Sequence, residues 1–228
     1  SMIEGFRLGR DGHSHTAVKI LARVGKKVEY DFFQQVIEDE KHEYHKEFKF
    51  MRRKAKNTSF GVVYGIGEDK LADQIGCTVD EAREFIDLYN EEYPCIEPFK
   101  RDVWKFCRNK GYVVTMSGRR RYIPYINDTN NFYRGSAERS SFNCIIQGSA
   151  ADICAAAMVD LGFDILPKFG AYQINQVHDE IHIEVPKKYA ERCLKEAKLT
   201  MENPSGIKME HVKLIAEGKV CSNWKEGK

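Results

Sequence analysis

Residues 171–186, AYQINQVHDEIHIEVP, read as strand, turn, strand. Ile181, Ile183 and Val185 fall on one side of the second strand and His182 and Glu184 on the other, the period of two expected of a half-buried strand. Asp179 and Glu180 lie at the tip. The apolar flanks predict a buried hairpin, and adjacent carboxylates at a buried tip repel one another unless a cation sits there. A hard divalent ion such as Mg2+, completed by water and phosphate oxygens, satisfies that demand. Acidic residues are also common in turns for local reasons, so these residues alone leave both readings open.

Outward from the hairpin the pattern is helical. Residues 28–56 are charged and rich in helix formers, and they run into NTSFGVVYGIG, whose three glycines end the regular pattern, so a helix is expected to reach about Tyr64. TVDEAREFIDLYNEEYP opens with the capping-box pattern Thr78-x-x-Glu81 and stops at Pro94. A further amphipathic helix is expected from about Ile96 to Asn109, ending at Gly111. YVVTMSGRRRYIP reads as two short strands around a Ser-Gly turn, residues 134–161 as a helix, residues 187–202 as another, and Val212–Ala216 as a short strand. The expected class is α+β, a helical subdomain over residues 1–110 beside an antiparallel sheet built from residues 111–228, with the carboxylate hairpin at about 172–185.

Three other stretches carry chemistry. In RRKAKNTSFGVVYG, Arg52, Lys56, Phe60 and Tyr64 recur every four residues, so a helix over about 48–64 aligns two cations and two rings in one stripe. Such a stripe suits a triphosphate at one end and a sugar and base at the other, although periodic aromatics are more often core. Arg139, Asn143 and Gln147 share one helix face by the same spacing, where amide and guanidinium donors could reach minor-groove acceptors or make only local hydrogen bonds. From Phe99 to Arg121 there are eight Lys or Arg against one acid, Asp102, and the run Arg119, Arg120, Arg121 suits a phosphate backbone or a solvated turn. His13, in DGHSHTA, is an ordinary histidine on these grounds.

Composition narrows the class without deciding it. The 228 residues are 42% hydrophobic and 31% charged with a net charge of +2, the balance of a soluble chain with a sizeable core. The longest uninterrupted apolar run, Ile153–Val159, is far short of a membrane span, and no signal-peptide core opens the chain, so no membrane partner is expected. Seven cysteines, none in a CxxC pair, suggest neither a disulfide framework nor zinc, and fit a reducing compartment.

MRRKAKNTSFGVVYG, TMSGRRRYIP, AERSSFNCIIQGSAAD and QVHDE, in that order and followed by GKVCSNWKEGK, resemble the motifs of family A DNA polymerases across nearly the whole chain. The resemblance implies a fingers portion over residues 1–110 and a palm portion over 111–228. It implies that Asp179, with Glu180 beside it, binds two catalytic Mg2+, that His13 and Arg52 hold the outer phosphates of a deoxynucleoside triphosphate, and that Lys56 contacts those phosphates and acts as general acid. Phe60 would pack on the sugar and Tyr64 sit by the templating base, while Arg119, Arg120, Arg121, Arg139, Asn143, Gln147 and His178 would touch primer-template DNA. The expected setting is the cytoplasm of a bacterial or phage-infected cell, or an organelle of a eukaryote. Gly12, Ser59 and Ile145 depart from the family pattern at peripheral positions, and the segment between Ala17 and Met51 is markedly longer than in bacterial members.

The family's first palm strand, of D-Y-S-Q-I-E type, has no match in the 228 residues, nor do a thumb or an exonuclease domain. The expectation is therefore a chain inactive or nearly so by itself, completed by an amino-terminal polymerase half or upstream segment. A natural split protein, an excised fragment and a non-catalytic DNA-binding remnant or interaction module all fit.

Overall fold

The computed structural model describes residues 2–23 and 25–227. The helices are α1 (Met2–Arg7), α2 (Gly12–Arg23), α3 (Tyr30–Glu38), α4 (His45–Val63), α5 (Glu68–Ile75), α6 (Val79–Glu92), α7 (Ile96–Lys110), α8 (Asn131–Asp160), α9 (Ala190–Glu202) and α10 (Trp224–Gly227). Strands β1 (Tyr112–Val114) and β2 (Arg120–Tyr122) form one antiparallel pair, and β3 (Tyr172–Val177) and β4 (Glu180–Glu184) another. The expected palm sheet is thus two separate hairpins in a mostly helical chain. Nor is there a strand at Val212–Ala216, where the Ala216 N–H donates to Glu202 Oε1 at 3.1 Å rather than to a neighbouring strand.

The chain divides into two compact units. The first holds residues 1–109 and 126–142. One core joins α2, α3 and α4 through Ala17, Ile20, Leu21, Phe33, Val36, Phe48 and Ala55, with Phe33 stacked on Phe48 at 4.7 Å. Burying a side chain such as Phe33 or Leu21 contributes about 2 kcal/mol, so this cluster fixes the lie of α4. The capping box is present as read: Glu81 N–H donates to Thr78 Oγ1 at 3.2 Å and Thr78 N–H to Glu81 Oε2 at 2.8 Å. The helix expected over residues 28–64 is two helices, broken at residues 39–44. There Asp39 Oδ1 takes the Lys41 N–H at 3.0 Å and His42 Nδ1 takes the Tyr44 N–H at 3.2 Å, side chains replacing the helical acceptors. At its other end α4 is held by Lys100, 4% exposed, whose Nζ donates to the Val62 carbonyl and to Glu97 Oε1, both at 2.6 Å. A cation at a helix carboxyl end is favoured by the macrodipole as well as by the hydrogen bond.

The second unit holds residues 110–125 and 143–228. The face of β4 bearing Ile181 and Ile183, continued by Val185, packs on a core of Leu161, Leu166, Phe169, Ala171, Cys193 and Ala197, as the period of two predicts. The β1–β2 hairpin is tied to α8 by Asp152, which accepts from Thr115 Oγ1 and Ser117 Oγ at 2.5 Å each and from Arg119 Nε at 2.7 Å. Gly148 allows this approach, since a Cβ there would stand 2.7 Å from the Thr115 methyl. By length and composition alone, Asn131–Phe169 would also pass for a membrane span, a test that core helices pass too.

Candidate nucleotide and metal sites

Within the first unit, α2 and α4 assemble the predicted row. The His13 ring lies 5.5 Å from that of Phe60, Lys56 Nζ is 5.9 Å from the Phe60 centroid, and Phe60 stacks with Tyr64 at 6.1 Å and 18°. Phe60 is 44% exposed and Lys56 is exposed, so these are not core residues. Lys56 has no carboxylate partner among the described residues, which leaves its charge available to an anion. The reason is local: the four-residue spacing puts these side chains on one face, while Ala55, Thr58, Ser59 and Val62 fill the buried one. Ser59 completes its own hydrogen bond by donating to the Ala55 carbonyl at 2.8 Å.

Sequence reasoning missed Asp11. Arg52 Nε donates to its Oδ2 at 2.8 Å, and Ser14 donates to the same oxygen through N–H at 2.9 Å and Oγ at 2.6 Å. Burial would raise the Asp11 pKa, but the hydrogen bonds from Ser14 and Arg52 outweigh it and hold the value at about 2. His13 is pushed below its ordinary value by burial, opposed by the Asp11 charge and reinforced by Arg52 and Lys56, which favours the neutral imidazole. Asp11 opens the DGHSHTA stretch two residues before His13, but nothing in that spacing signalled a pairing 41 residues along the chain.

The row ends at a cleft of about 180 Å3 lined by Tyr64, Gly65, Asn90, Lys100, Trp104 and Arg139, among others. Gly65 has φ +72°, and the Arg139 side chain crosses it at 3.0 Å from where a Cβ would stand. A side chain at residue 65 would therefore be strained and obstructed at once. Asn90 Oδ1 is buried with no hydrogen-bond partner among the described residues.

The second unit carries the carboxylates. Contrary to the expected burial, His178, Asp179 and Glu180 are exposed, as are Tyr172 at 71% and Ile174 at 62% on β3. Only one face of the hairpin is covered, and a register shift between Gln173 and Asn175 breaks the alternation that suggested a second buried strand. Mutual repulsion at a dry tip therefore no longer argues for a cation. The turn itself is unusual: His178 has φ 56°, the one positive value at a non-glycine residue among those described, and its carbonyl accepts from the Gln176 side chain. A left-handed conformation costs a non-glycine residue about 1 kcal/mol and needs surrounding structure to hold it. Glu180 Oε1 is 2.6 Å from His182 Nε2, and His182 packs on Trp224 at 4.9 Å.

The oxygen donors of Asp179 and Glu180 match a hard cation in kind but supply two side chains only, and no cluster of three or more His, Cys, Asp or Glu suited to a metal occurs among the described residues. Of the predicted DNA-contacting arginines, Arg120 and Arg121 are exposed on β2, with Arg120 over the Tyr112 ring at 5.0 Å. Arg119 is committed to Asp152 and, through a terminal nitrogen, to the Gly148 carbonyl at 3.2 Å. Arg139 and Gln147 are exposed on α8, where Asn143 keeps a buried Oδ1 with no partner among the described residues.

Residues 1–226 match the model of the family described as DNA polymerase family A. DNA polymerase I of Streptococcus pneumoniae serotype 4 (strain ATCC BAA-334 / TIGR4) is 43% identical over 180 residues, 78% of this chain and 20% of that protein. DNA polymerase I of Bacillus caldotenax is 35% identical over 229 residues, 100% of this chain and 24% of that protein. The solved POL domain of Pol1 from M. smegmatis, in complex with DNA primer-template and dNTP, matches 93% of this chain with a TM-score of 0.77 at 30% identity, this chain spanning 34% of it. The 228 residues thus span about a fifth to a quarter of the length of these DNA polymerase I relatives.

Proposed function

The chain belongs to DNA polymerase family A, and from that premise we propose that it is the fingers and part of the palm of a DNA-templated DNA polymerase. It adds deoxynucleotides to a primer 3′ end by attack of the 3′-hydroxyl on the α-phosphate with loss of pyrophosphate. The observation that carries this reading is the row His13, Arg52, Lys56, Phe60, Tyr64, in which cations lead into an exposed Phe60 ring stacked on a half-buried Tyr64. Arg52 and neutral His13 hold the outer phosphates, one as a cation and the other as a hydrogen-bond donor. Lys56 contacts the phosphates and gives its proton to the departing pyrophosphate. Phe60 packs on the sugar and Tyr64 marks the templating-base end. We assign the fingers to residues 1–110 and the palm portion to 111–228.

Asp179 and Glu180 would hold Mg2+ from one side, and the ions when bound would activate the primer hydroxyl and neutralise the leaving phosphates. Two carboxylates on an exposed tip make half of such a site, so activity calls for a further carboxylate strand and a thumb from outside these 228 residues. The uncovered β3 residues Tyr172 and Ile174 support a missing neighbour on that hairpin. Arg120, Arg121, Arg139, Asn143, Gln147 and His178 are assigned to primer-template contact. Arg119 joins them through whatever its bond to Asp152 leaves free.

A second reading, a non-catalytic binder of primer-template DNA, is favoured only by the exposed arginines of β2, and DNA binding alone does not require the row on α4. Primer extension with Mg2+ and dNTPs separates the two. The chain alone should extend little or nothing, the chain supplemented with a polypeptide bearing the first palm strand and thumb should extend, and Asp179→Asn should abolish that extension. Failure of the supplemented chain to extend, with DNA still bound, would leave the binder.

A further inference from the structure

We infer that Asp11 is a positioning residue for Arg52 and that helix α3, in the long segment between Ala17 and Met51, is the brace that holds Asp11 in place. The inference rests on the reading of the α4 row as the triphosphate site.

Asp11 takes the Arg52 Nε–H at 2.8 Å, and Ser14 Oγ lies 3.2 Å from the same nitrogen. Among the described residues, neither terminal nitrogen of Arg52 has a hydrogen-bond partner. The guanidinium is planar, so fixing Nε fixes the plane and leaves the opposite edge, with its fork of donors, facing outward for a phosphate. A carboxylate that merely neutralised Arg52 would be expected to occupy that fork, the usual bidentate arrangement.

Asp11 is itself held from α3. Its N–H donates to the Tyr30 hydroxyl at 2.7 Å, and Gln34 Nε2 donates to the same hydroxyl at 2.8 Å. Gln34 Oε1 also lies 3.2 Å from Oγ of Ser14, which is fully buried. Helix α3 is anchored independently of this network by Phe33 and Val36 in the α2–α4 core and by the Val36 carbonyl, which lies 3.0 Å from His45 Nδ1. The chain of contacts from core to α3 to Asp11 to Arg52 is unbroken, and Asp11 stays ionised across the physiological range.

The test measures binding of Mg2+-dTTP, dTMP and thymidine to the full 228-residue chain, together with the Arg52 Nε–H resonance by NMR. Asp11→Ala should weaken dTTP binding about tenfold, leave thymidine binding unchanged and remove the protected Nε–H signal, because a freely rotating guanidinium must be ordered by the ligand. Asp11→Asn, isosteric and still an acceptor, should recover most of the affinity and the signal, which a lost charge could not. Tyr30→Phe should weaken dTTP binding about threefold with Arg52 Nε–H still seen but exchanging faster. Should folded Asp11→Ala bind dTTP as well as or more tightly than the parent, Asp11 is a competitor of phosphate and the inference is overturned. Should Arg52→Ala leave dTTP binding unchanged, the triphosphate reading of α4 fails instead.

Discussion

The α4 row and the carboxylate hairpin carry the two proposed roles, nucleotide holding and metal binding, yet their surroundings are opposite. The row is prepared in advance: its buried face is filled, its amino-terminal cation is oriented by Asp11, and its carboxyl end is held by a buried ammonium. The hairpin is supported on one face and bare on the other, with both carboxylates exposed and Glu180 held, among the described residues, only by His182. Preorganised groups can act without further ordering, whereas exposed carboxylates in high dielectric gain little until something excludes water and supplies the missing ligands. The difference teaches that nucleotide holding should be a property of this chain, and metal-dependent chemistry a property of a completed assembly.

The comparison breaks first at the hairpin. In the completed assembly Asp179→Asn should lower primer extension by on the order of a thousandfold, the several kcal/mol that a lost metal ligand removes, with dTTP affinity of the chain alone unchanged. A fall in nucleotide affinity of the isolated chain on Asp179→Asn would mean the two regions are not separable. Next, Lys56→Ala should slow single-turnover extension about a hundredfold, the lower range for losing a general acid, without changing the melting temperature of this exposed position. An unaltered rate would reduce Lys56 to a surface cation.

Smaller effects sharpen the contrast. Replacing Arg120 and Arg121 by Ala should weaken primer-template binding about tenfold and lower its salt dependence by about one unit per arginine. Arg119→Ala should act instead through stability, because it removes the cation bound to Asp152 Oδ1 and leaves that oxygen without its partner, with Thr115 and Ser117 still on Oδ2. Denaturant titrations against pH then report on Asp11. Its folded pKa of about 2 lies below the unfolded value of 3.8, so its contribution, at most about 2 kcal/mol, is present above 3.8 and lost as pH falls toward 2. His13, also lowered, contributes fully above its ordinary 6.5 and loses that contribution as pH falls from there through its lower folded value. Asp11→Asn should flatten the acid limb and, by removing the charge that raises His13, deepen the loss below 6.5; a flattening near neutrality would assign that limb elsewhere.

Much of this was legible in residue spacing. The four-residue repeat from Arg52 to Tyr64 placed the row, Thr78 and Glu81 gave the capping box, and the alternation from Ile181 to Val185 identified the packed face. What escaped depends on partners distant in sequence or on local competition for the backbone. Residues 39–44 contain neither Pro nor Gly, and the helix breaks because Asp39 and His42 capture nearby N–H groups. Val212–Ala216 has strand composition, but a strand exists only with a neighbour, and none is paired with it among the described residues. Exposure of the carboxylates was illegible because alternation tells which residues share a face, not whether that face is covered.

The backbone at His178 bears on how the hairpin would respond to engineering. Glycine adopts a φ of 56° freely, so glycine at 178 would relieve torsion at the tip and raise the resistance of the second unit to denaturant. It would also widen the range of directions in which the neighbouring Asp179 carboxylate points, and take away an imidazole from the same turn. A search that selects for thermal tolerance alone would therefore drift toward glycine here, and the chains it returned would be sturdier molecules with a blunter tip.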